Sequence, residues 1–264
     1  MLIGECRELW KWRELLWQMV GREVKARYKQ SFLGYFWVII NPFAQMVVMS
    51  LAFSVIMRVP TMAAPHIPYP VFLFVGLLPW MFFANSLSGA VNSLVVGSGL
   101  LTKVYFPRTV LVLATIMAKA VDFLFSVIPL VGYMVVYSIG VNWQALWLVP
   151  ILLIQLVFMI GLGLFLAAAN LLYRDVQYLL ALVLTLWMYL TPIIYPVDIV
   201  PMAWKWVFQI NPMRVLVNAY RQVLLGGGQP NVMGLLLAAG LSLLTLIVGL
   251  AYFKSREKVF ADNV

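Results

Sequence analysis

Long apolar segments, separated by charged, proline-rich or glycine-rich residues, cover most of this 264-residue chain. A helix that crosses a hydrocarbon layer of about 30 Å needs about 20 apolar residues, and segments of that length recur from residue 32 to residue 253. The breaks between them give six predicted spans, at 32–57, 70–100, 109–139, 146–172, 176–196 and 232–253. The pattern therefore predicts an all-α integral membrane protein whose six-span domain occupies residues 32–264.

The segment before the first span has an apolar stripe and a polar stripe. Between Arg7 and Lys29 the apolar residues repeat every three or four positions, and Lys, Arg, Glu and Gln follow a second stripe. This pattern predicts an amphipathic interface helix, residues 1–31, that lies on the membrane with its tryptophans in the headgroup layer. Its candidate interface residues are Trp12, Arg22, Lys25 and Arg27.

The distribution of charge supports a membrane protein and gives its orientation. Hydrophobic residues make up 64% of the chain and charged residues 10%, whereas soluble domains carry roughly 25% charge. In the six-span model, 13 Lys and Arg residues lie on the side of the two termini and four on the other side. Cytoplasmic loops hold the excess of Lys and Arg, so both termini are predicted to be cytosolic. The net charge of +9 is therefore assigned to topology and membrane lipids, not to nucleic acid.

Residues 197–228 are less regular than a span, because charged residues alternate with apolar ones and helix stops occur at Pro201, Pro212 and a run of three glycines. We predict two short helices that re-enter the outer leaflet, where protein or a water-filled cavity must satisfy the exposed backbone. They would form an outer gate or, alternatively, an interfacial cap with no gating role. Their charged residues are Asp198, Lys205, Arg214 and Arg221.

The chain offers little for catalysis. It has one histidine, His66, and nine acidic residues that lie mostly at the ends of spans, so no catalytic constellation can be assembled. The single cysteine, Cys6, excludes an intramolecular disulfide and a multi-thiolate metal site. No glycine-rich phosphate loop is present, so any nucleotide chemistry belongs to a partner. We expect a transport subunit without catalytic residues, metal or cofactor of its own.

Two charged residues interrupt the third span. Lys119 and Asp122 have i, i+3 spacing, which allows them to neutralise one another on one helix face. Charge within a membrane segment is costly and is a functional hypothesis by default. Structural pairing, a proton or ion relay, and a hydrophilic pore contact are the three interpretations.

Polar and aromatic residues share helix faces in the first and fifth spans. Polar stripes avoid lipid by facing one another or a channel, and aromatic rings stack on sugar rings. Membrane-interface belts and simple packing are the alternative explanation for each aromatic residue. The candidate channel residues are Tyr35, Trp37, Asn41, Gln45, Tyr178, Thr185, Tyr189 and Tyr195.

Five motifs, in order along the chain, resemble the permease subunit of the ABC exporters that move O-antigen, capsule or teichoic-acid polymers. They are Arg-Tyr-Lys-Gln-Ser-Phe-Leu-Gly-Tyr-Phe-Trp at 27–37 continuing to Asn-Pro at 41–42, Leu-Thr-Lys-Val-Tyr-Phe-Pro-Arg at 101–108, Tyr-Arg-Asp-Val at 173–176, Thr-Pro-Ile-Ile-Tyr-Pro at 191–196, and Asn-Pro-Met at 211–213. Each motif is weak alone, and the combination is specific and covers essentially the whole chain.

The resemblance implies a homodimer in the bacterial inner membrane with two copies of a cytosolic ATPase, which bind ATP and Mg. It implies a lipid-linked polysaccharide as cargo, a channel between the protomers along the first and fifth spans, and a pair of gate helices at 198–225. It also implies a coupling helix that docks on the ATPase, formed by Lys103, Val104, Tyr105, Phe106, Pro107 and Arg108.

Alternatives remain at each level. The basic and aromatic loop at 103–108 suits a docking element, and it also suits a plain membrane-surface turn with cytosolic positive charge. An exporter of the same architecture could carry a small hydrophobic drug or lipid. A membrane-embedded glycosyl- or acyltransferase would require an acidic or histidine cluster, which the sequence lacks.

Overall fold

The computed structural model describes residues 2–28, 31–56, 67–101, 106–140, 142–196, 211–225 and 228–260. Within these ranges every regular element is a helix. Five helical segments are long and apolar enough to cross a membrane, namely Gly34–Ser54, Tyr69–Val96, Thr109–Val136, Trp143–Leu172 and Val232–Arg256. The predicted class, an all-α protein with several membrane-spanning helices, is confirmed.

The N-terminal segment forms two helices where one was predicted. Helix α1 is Leu2–Lys11 and helix α2 is Arg13–Tyr28, with a turn at Trp12 between them. Helix α2 packs along helix α6 (Thr109–Val136). The first apolar segment then begins with a 3₁₀ turn, Gly34–Phe36, continues as α3, Trp37–Ser50, and ends in a π-helical turn, Leu51–Ile56.

Helix α4, Tyr69–Val96, is the centre of the bundle. In an 18-residue apolar stretch of α4, 78% of the residues are buried. In the corresponding stretch of the segment that contains α3, 22% are buried. It packs against α3, α6, α7 (Leu148–Leu172), α8 (Val176–Leu190) and α9 (Pro212–Leu224). A short helix α5, Ser98–Leu101, follows it. Helices α4 and α6 each have 28 residues, about 42 Å of helix, and therefore exceed a hydrocarbon layer of about 30 Å.

Among the described helices, α7, Leu148–Leu172, and α10, Val232–Arg256, make the most extensive contact. A 3₁₀ turn, Trp143–Trp147, leads into α7. Gly161 and Gly249 lie at the crossing: a Cβ on Gly161 would lie 2.5 Å from the backbone nitrogen of Leu246, and a Cβ on Gly249 would overlap the carbonyl of Gly161. Glycine is required at both positions because the two backbones are in contact.

The fifth predicted span, 176–196, contains a shorter helix. Helix α8, Val176–Leu190, has 15 residues, about 22 Å, and is not long enough to count among the five candidate spans. After α8 the Thr191–Pro196 motif forms turns, because the prolines at 192 and 196 cannot continue a helix. Helix α9, Pro212–Leu224, begins at Asn211, whose side chain accepts hydrogen bonds from the backbone N–H groups of Met213 and Arg214.

The two ends of the described chain meet beside the start of α6. The Lys254 ammonium lies 2.7 Å from the carboxylate of Glu5 in α1. The Arg108 guanidinium, next to α6, donates to the carbonyl of Glu257 and lies over the ring of Phe260. A final 3₁₀ turn, Glu257–Val259, brings Phe260 into the core, where it is fully buried. Helix α1 and the final 3₁₀ turn therefore lie on the same side of the bundle as Arg108.

Candidate functional site

The end of α8 is held to the start of α9 by a cluster of polar side chains. The Trp187 indole N–H donates to the amide oxygen of Asn211 at 3.0 Å. The Asn211 amide nitrogen donates to the Thr191 hydroxyl at 3.0 Å and to the Leu190 carbonyl at 3.3 Å. One asparagine thus caps α9 and satisfies two acceptors where α8 ends. Residues 197–210, with the predicted gate residues Asp198 and Lys205, lie outside the described part of the chain.

Arg221, predicted as an outer gate residue, is 7% exposed and lies inside the protomer. Its guanidinium donates to the carbonyls of Pro192 (2.6 Å), Ile193 and Phe72 (3.3 Å), and lies 3.6 Å from the centre of the Phe72 ring. Within the described residues, no carboxylate lies within 4.0 Å of it. Burial lowers its pKa to about 9, so the side chain is still charged at neutral pH.

This arrangement makes Arg221 the common support of three elements: α9, which carries it, the start of α4, and the break after α8. Gly76 in α4 leaves the space for the guanidinium, since a Cβ there would lie 2.5 Å from one of its nitrogens. The Tyr69 hydroxyl adds a hydrogen bond of 2.8 Å to the Ile194 carbonyl. Arg214, the other described gate residue, is only partly buried and lines a groove between α9 and α10.

A buried glutamine connects α4, α7 and α9 in the middle of the bundle. Gln155 in α7 is fully buried, and its amide nitrogen donates to the Pro79 carbonyl in α4 at 2.8 Å. The Tyr220 hydroxyl in α9 donates to the Gln155 amide oxygen at 3.0 Å. Burial raises the pKa of Tyr220, so its hydroxyl stays protonated and can act as this donor. Buried polar groups need such partners, and here they connect α4, α7 and α9.

Most predicted channel residues lie on faces that the protomer leaves uncovered. On α3, Trp37 is 46% exposed, and Asn41 and Gln45 are also exposed, with a 3.4 Å hydrogen bond between their side chains. On α8, Tyr178 and Tyr189 are 70% and 56% exposed. Thr185, the third predicted channel residue on α8, is also exposed, and its hydroxyl donates to the Ala181 carbonyl one turn earlier.

Two predicted channel residues make specific contacts. The Tyr195 hydroxyl donates to the Tyr189 carbonyl at 2.8 Å, which ties the turn after α8 back to the helix. The Tyr35 hydroxyl donates to the Asp122 carboxylate at 3.2 Å, and its ring packs edge-on against Phe125. Helices α3 and α8 each pack against α4.

The charged pair in the third span belongs to a larger cluster. Lys119 and Asp122 form the expected pair at 3.8 Å, but the Arg27 guanidinium from α2 makes the closer contact with the same carboxylate. Sequence reasoning placed Arg27 only on the interface helix. Because Arg27 and Asp122 are 95 residues apart, no local spacing could have indicated this pair.

The predicted coupling loop is described only at its end. Lys103, Val104 and Tyr105 lie outside the described residues. Phe106 is 6% exposed and Pro107 is buried, so both anchor the loop inside the protomer.

The other predicted interface residues lie on α2 and at its start. Trp12 is partly buried against the core, whereas Arg22 and Lys25 are exposed. Trp10 in α1 and Trp17 in α2 are 71% and 59% exposed, as expected for side chains in a headgroup layer.

Comparison with known proteins agrees with this architecture. The family model of the ABC-2 type transporter matches residues 14–225. An O-antigen export system permease protein, RfbA, of Myxococcus xanthus is 35% identical over the full length of both chains. A protein of the same name from Klebsiella pneumoniae is 31% identical over 94% of each chain, and the polysialic acid transport protein KpsM of Escherichia coli is 25% identical over 92% of this chain and 93% of its own. The chain is a multi-pass membrane protein and belongs to the ABC-2 type transporter family.

Proposed function

We propose that this chain is the membrane permease of an ATP-driven exporter that moves a lipid-linked polysaccharide, O-antigen or a similar cell-surface glycan, across the bacterial inner membrane. The observation that carries this proposal is the 35% identity, over the full length of both chains, to an O-antigen export permease. A second relative, the polysialic acid transport protein, is similar over 92% of the chain, which favours a polymer as cargo.

The proposed topology has six spans with both termini in the cytosol. The 13 Lys and Arg residues on the side of the termini, against four on the other side, support this orientation. The pairing of Lys254 with Glu5, and of Arg108 with Glu257, supports a single cytosolic face for both ends and the coupling loop. Helix α8 would be the fifth span, with the Thr191–Pro196 turn completing its path towards the outer face.

Two copies of the chain would enclose the channel. The exposed faces of α3 and α8 carry polar side chains, Asn41, Gln45 and Thr185, which avoid lipid when they face a second copy or a channel. Trp37 and Tyr189 offer aromatic rings for stacking on sugar rings, and Asn41 and Gln45 offer amides for sugar hydroxyls. Such contacts fit many sugars and therefore suit a polymer that slides past them.

The energy would come from two copies of a separate ATPase that bind ATP and Mg, because this chain has no phosphate-binding loop of its own. Residues 103–108 would dock on that ATPase. Phe106 and Pro107 would fix the base of the docking loop in the core, and Arg108 would connect it to the C-terminal segment through Glu257 and Phe260. Arg221 would hold the base of the outer gate through its contacts with α4 and with the turn after α8.

Deletion of this chain in its own host tests the function. We expect the loss of a surface glycan and the accumulation of its lipid-linked form in the cytosolic leaflet. An unchanged surface glycan with impaired efflux of small hydrophobic compounds would refute the polysaccharide cargo and favour a drug or lipid exporter. Complementation with Trp37→Ala and Tyr189→Ala should restore little export, whereas Trp143→Ala, which changes a more exposed tryptophan just before α7, should restore it.

A further inference from the structure

The inner edge of the membrane can be located from helix lengths, given the proposed topology. A hydrocarbon layer of about 30 Å holds about 20 residues of helix, and 20 residues counted from the outer end of α4 at Tyr69 reach about Ser88. The same count from the outer end of α6 at Val136 reaches about Met117, two residues before Lys119. Ser88 and Met117 therefore mark the level of the inner headgroups. The 28-residue helices α4 and α6 extend beyond that level into the cytosol.

A polar cavity of about 360 Å³ begins at this level, between α2 and the cytosolic halves of α4 and α6. Along α6 it extends from Leu111 to Lys119, and along α4 from Asn85 to Gly97. Two further α4 side chains in its wall, Ser88 and Asn92, are polar. The depth and the composition are those of a headgroup layer and not of hydrocarbon.

The cavity is cationic. Arg22, Arg27 and Lys119 line it, and Glu23 is the one carboxylate in the lining. Asp122, in an adjoining cavity that shares Lys119 and Asn85 in its wall, pairs with Arg27 and, at 3.8 Å, with Lys119. The five charged groups sum to one net positive charge.

Arg22 differs from Arg27 and Lys119 in its contacts with carboxylates. Within the described residues, no carboxylate lies within 4.0 Å of its guanidinium. The Ser88 hydroxyl and the Asn85 amide add further hydrogen-bond donors. A cationic pocket with a free guanidinium and neutral donors is suited to one phosphate group, which accepts several charge-assisted hydrogen bonds.

We infer that the cavity between α2, α4 and α6 binds the anionic phosphate of a membrane lipid, with Arg22 as the principal ligand and Lys119 as the second. The headgroup would enter from the inner leaflet beside α2. Two sources present this group: a bilayer phospholipid, and the phosphate-bearing anchor of the cargo, the latter resting on the proposed export function.

Direct binding to the purified full-length chain tests the inference. A fluorescent phosphatidylglycerol is titrated against the wild type and single variants in neutral detergent. Arg22→Gln should weaken binding about tenfold, the effect of losing one charge-assisted hydrogen bond. Glu23→Gln should strengthen binding, because it removes the one carboxylate of the lining. Lys25→Gln is the matched control, since it removes the same charge from an exposed position of α2 outside the cavity.

Equal affinities of the Arg22→Gln and Lys25→Gln variants, with no gain in Glu23→Gln, would overturn the inference. A competition arm distinguishes the two sources: displacement of phosphatidylglycerol by a short-chain isoprenyl diphosphate at lower concentration assigns the site to a cargo anchor, and failure to displace assigns it to a bilayer lipid. Neither arm needs ATP or transport, so a negative result leaves the proposed export function standing. Absence of ATP-driven export by the wild-type chain, with phosphatidylglycerol binding intact, would contradict that function alone.

Discussion

Arg221 provides the sharpest test of how α9, the start of α4 and the turn after α8 are held together. Replacing it with methionine keeps much of the side-chain volume but removes three hydrogen bonds to carbonyls and the contact with the Phe72 ring. Hydrogen bonds from a charged donor contribute about 1.5–3 kcal/mol each, and a desolvated cation–π contact contributes about 2 kcal/mol. The cost of burying the guanidinium opposes these gains.

The net loss should be about 3–5 kcal/mol, because carbonyls that lose their buried donor cost about 1–3 kcal/mol each, while the cost of burying the guanidinium is recovered in part. Thermal unfolding of the purified protein in detergent, followed by intrinsic tryptophan fluorescence, measures it. Arg221→Lys should be intermediate, because an ammonium keeps the charge but cannot reach three acceptors with a planar fork. Arg214→Met, on the same helix and only partly buried, is the control and should change stability by less than about 0.5 kcal/mol. Equal unfolding temperatures for Arg221→Met and Arg214→Met would refute the supporting role.

Further predictions concern the crossing of α7 and α10, the charged cluster and the C-terminal contact. Gly249→Ala should lower the unfolding temperature, because its Cβ overlaps the facing backbone, whereas Gly240→Ala, which meets open space in the same helix, should be neutral or slightly stabilising. Asp122→Asn should destabilise the protein, because it leaves Arg27 without its carboxylate, and unfolding temperatures unchanged by this substitution would contradict the cluster. Arg108→Gln should reduce ATP-driven export severalfold while the unfolding temperature changes by only a few degrees, since it releases the C-terminal segment from the coupling loop; export at the wild-type rate would argue against that connection.

The apolar pattern predicted the class of the protein because membrane solvation acts along the chain. Each long uncharged run must form a helix in lipid, so the positions of α4, α6, α7 and α10 follow from run length and from the breaks between runs. The end of α8 is set by prolines and not by the length of the apolar run. Its apolar run continues past Leu190, and the prolines at 192 and 196 end the helix earlier than hydropathy alone indicates.

The contacts of the charged residues depend on the assembled bundle. Arg221 bonds to Phe72, 149 residues away, and Arg108 to Glu257, also 149 residues away. The sequence pattern of a cation near a predicted outer turn is the same whether its side chain faces solvent or binds buried carbonyls. The sequence therefore predicts Arg221 as a gate residue. Gly76 was the available signal, since a glycine within a long apolar helix indicates a close approach by another group. The roles of the channel and coupling residues remain predictions.

ATP-dependent export in a defined membrane tests the central claim most directly. Inverted vesicles that contain this chain and its ATPase, loaded in the outer leaflet with the host's lipid-linked polysaccharide, should move the polymer into the lumen when ATP and Mg are added. Protection of the polymer from an added glycosidase measures the transfer. The account predicts protection that requires both this chain and ATP hydrolysis. Protection that is equal without this chain, or polymer that stays fully accessible while ATP is hydrolysed by the complete complex, would contradict it.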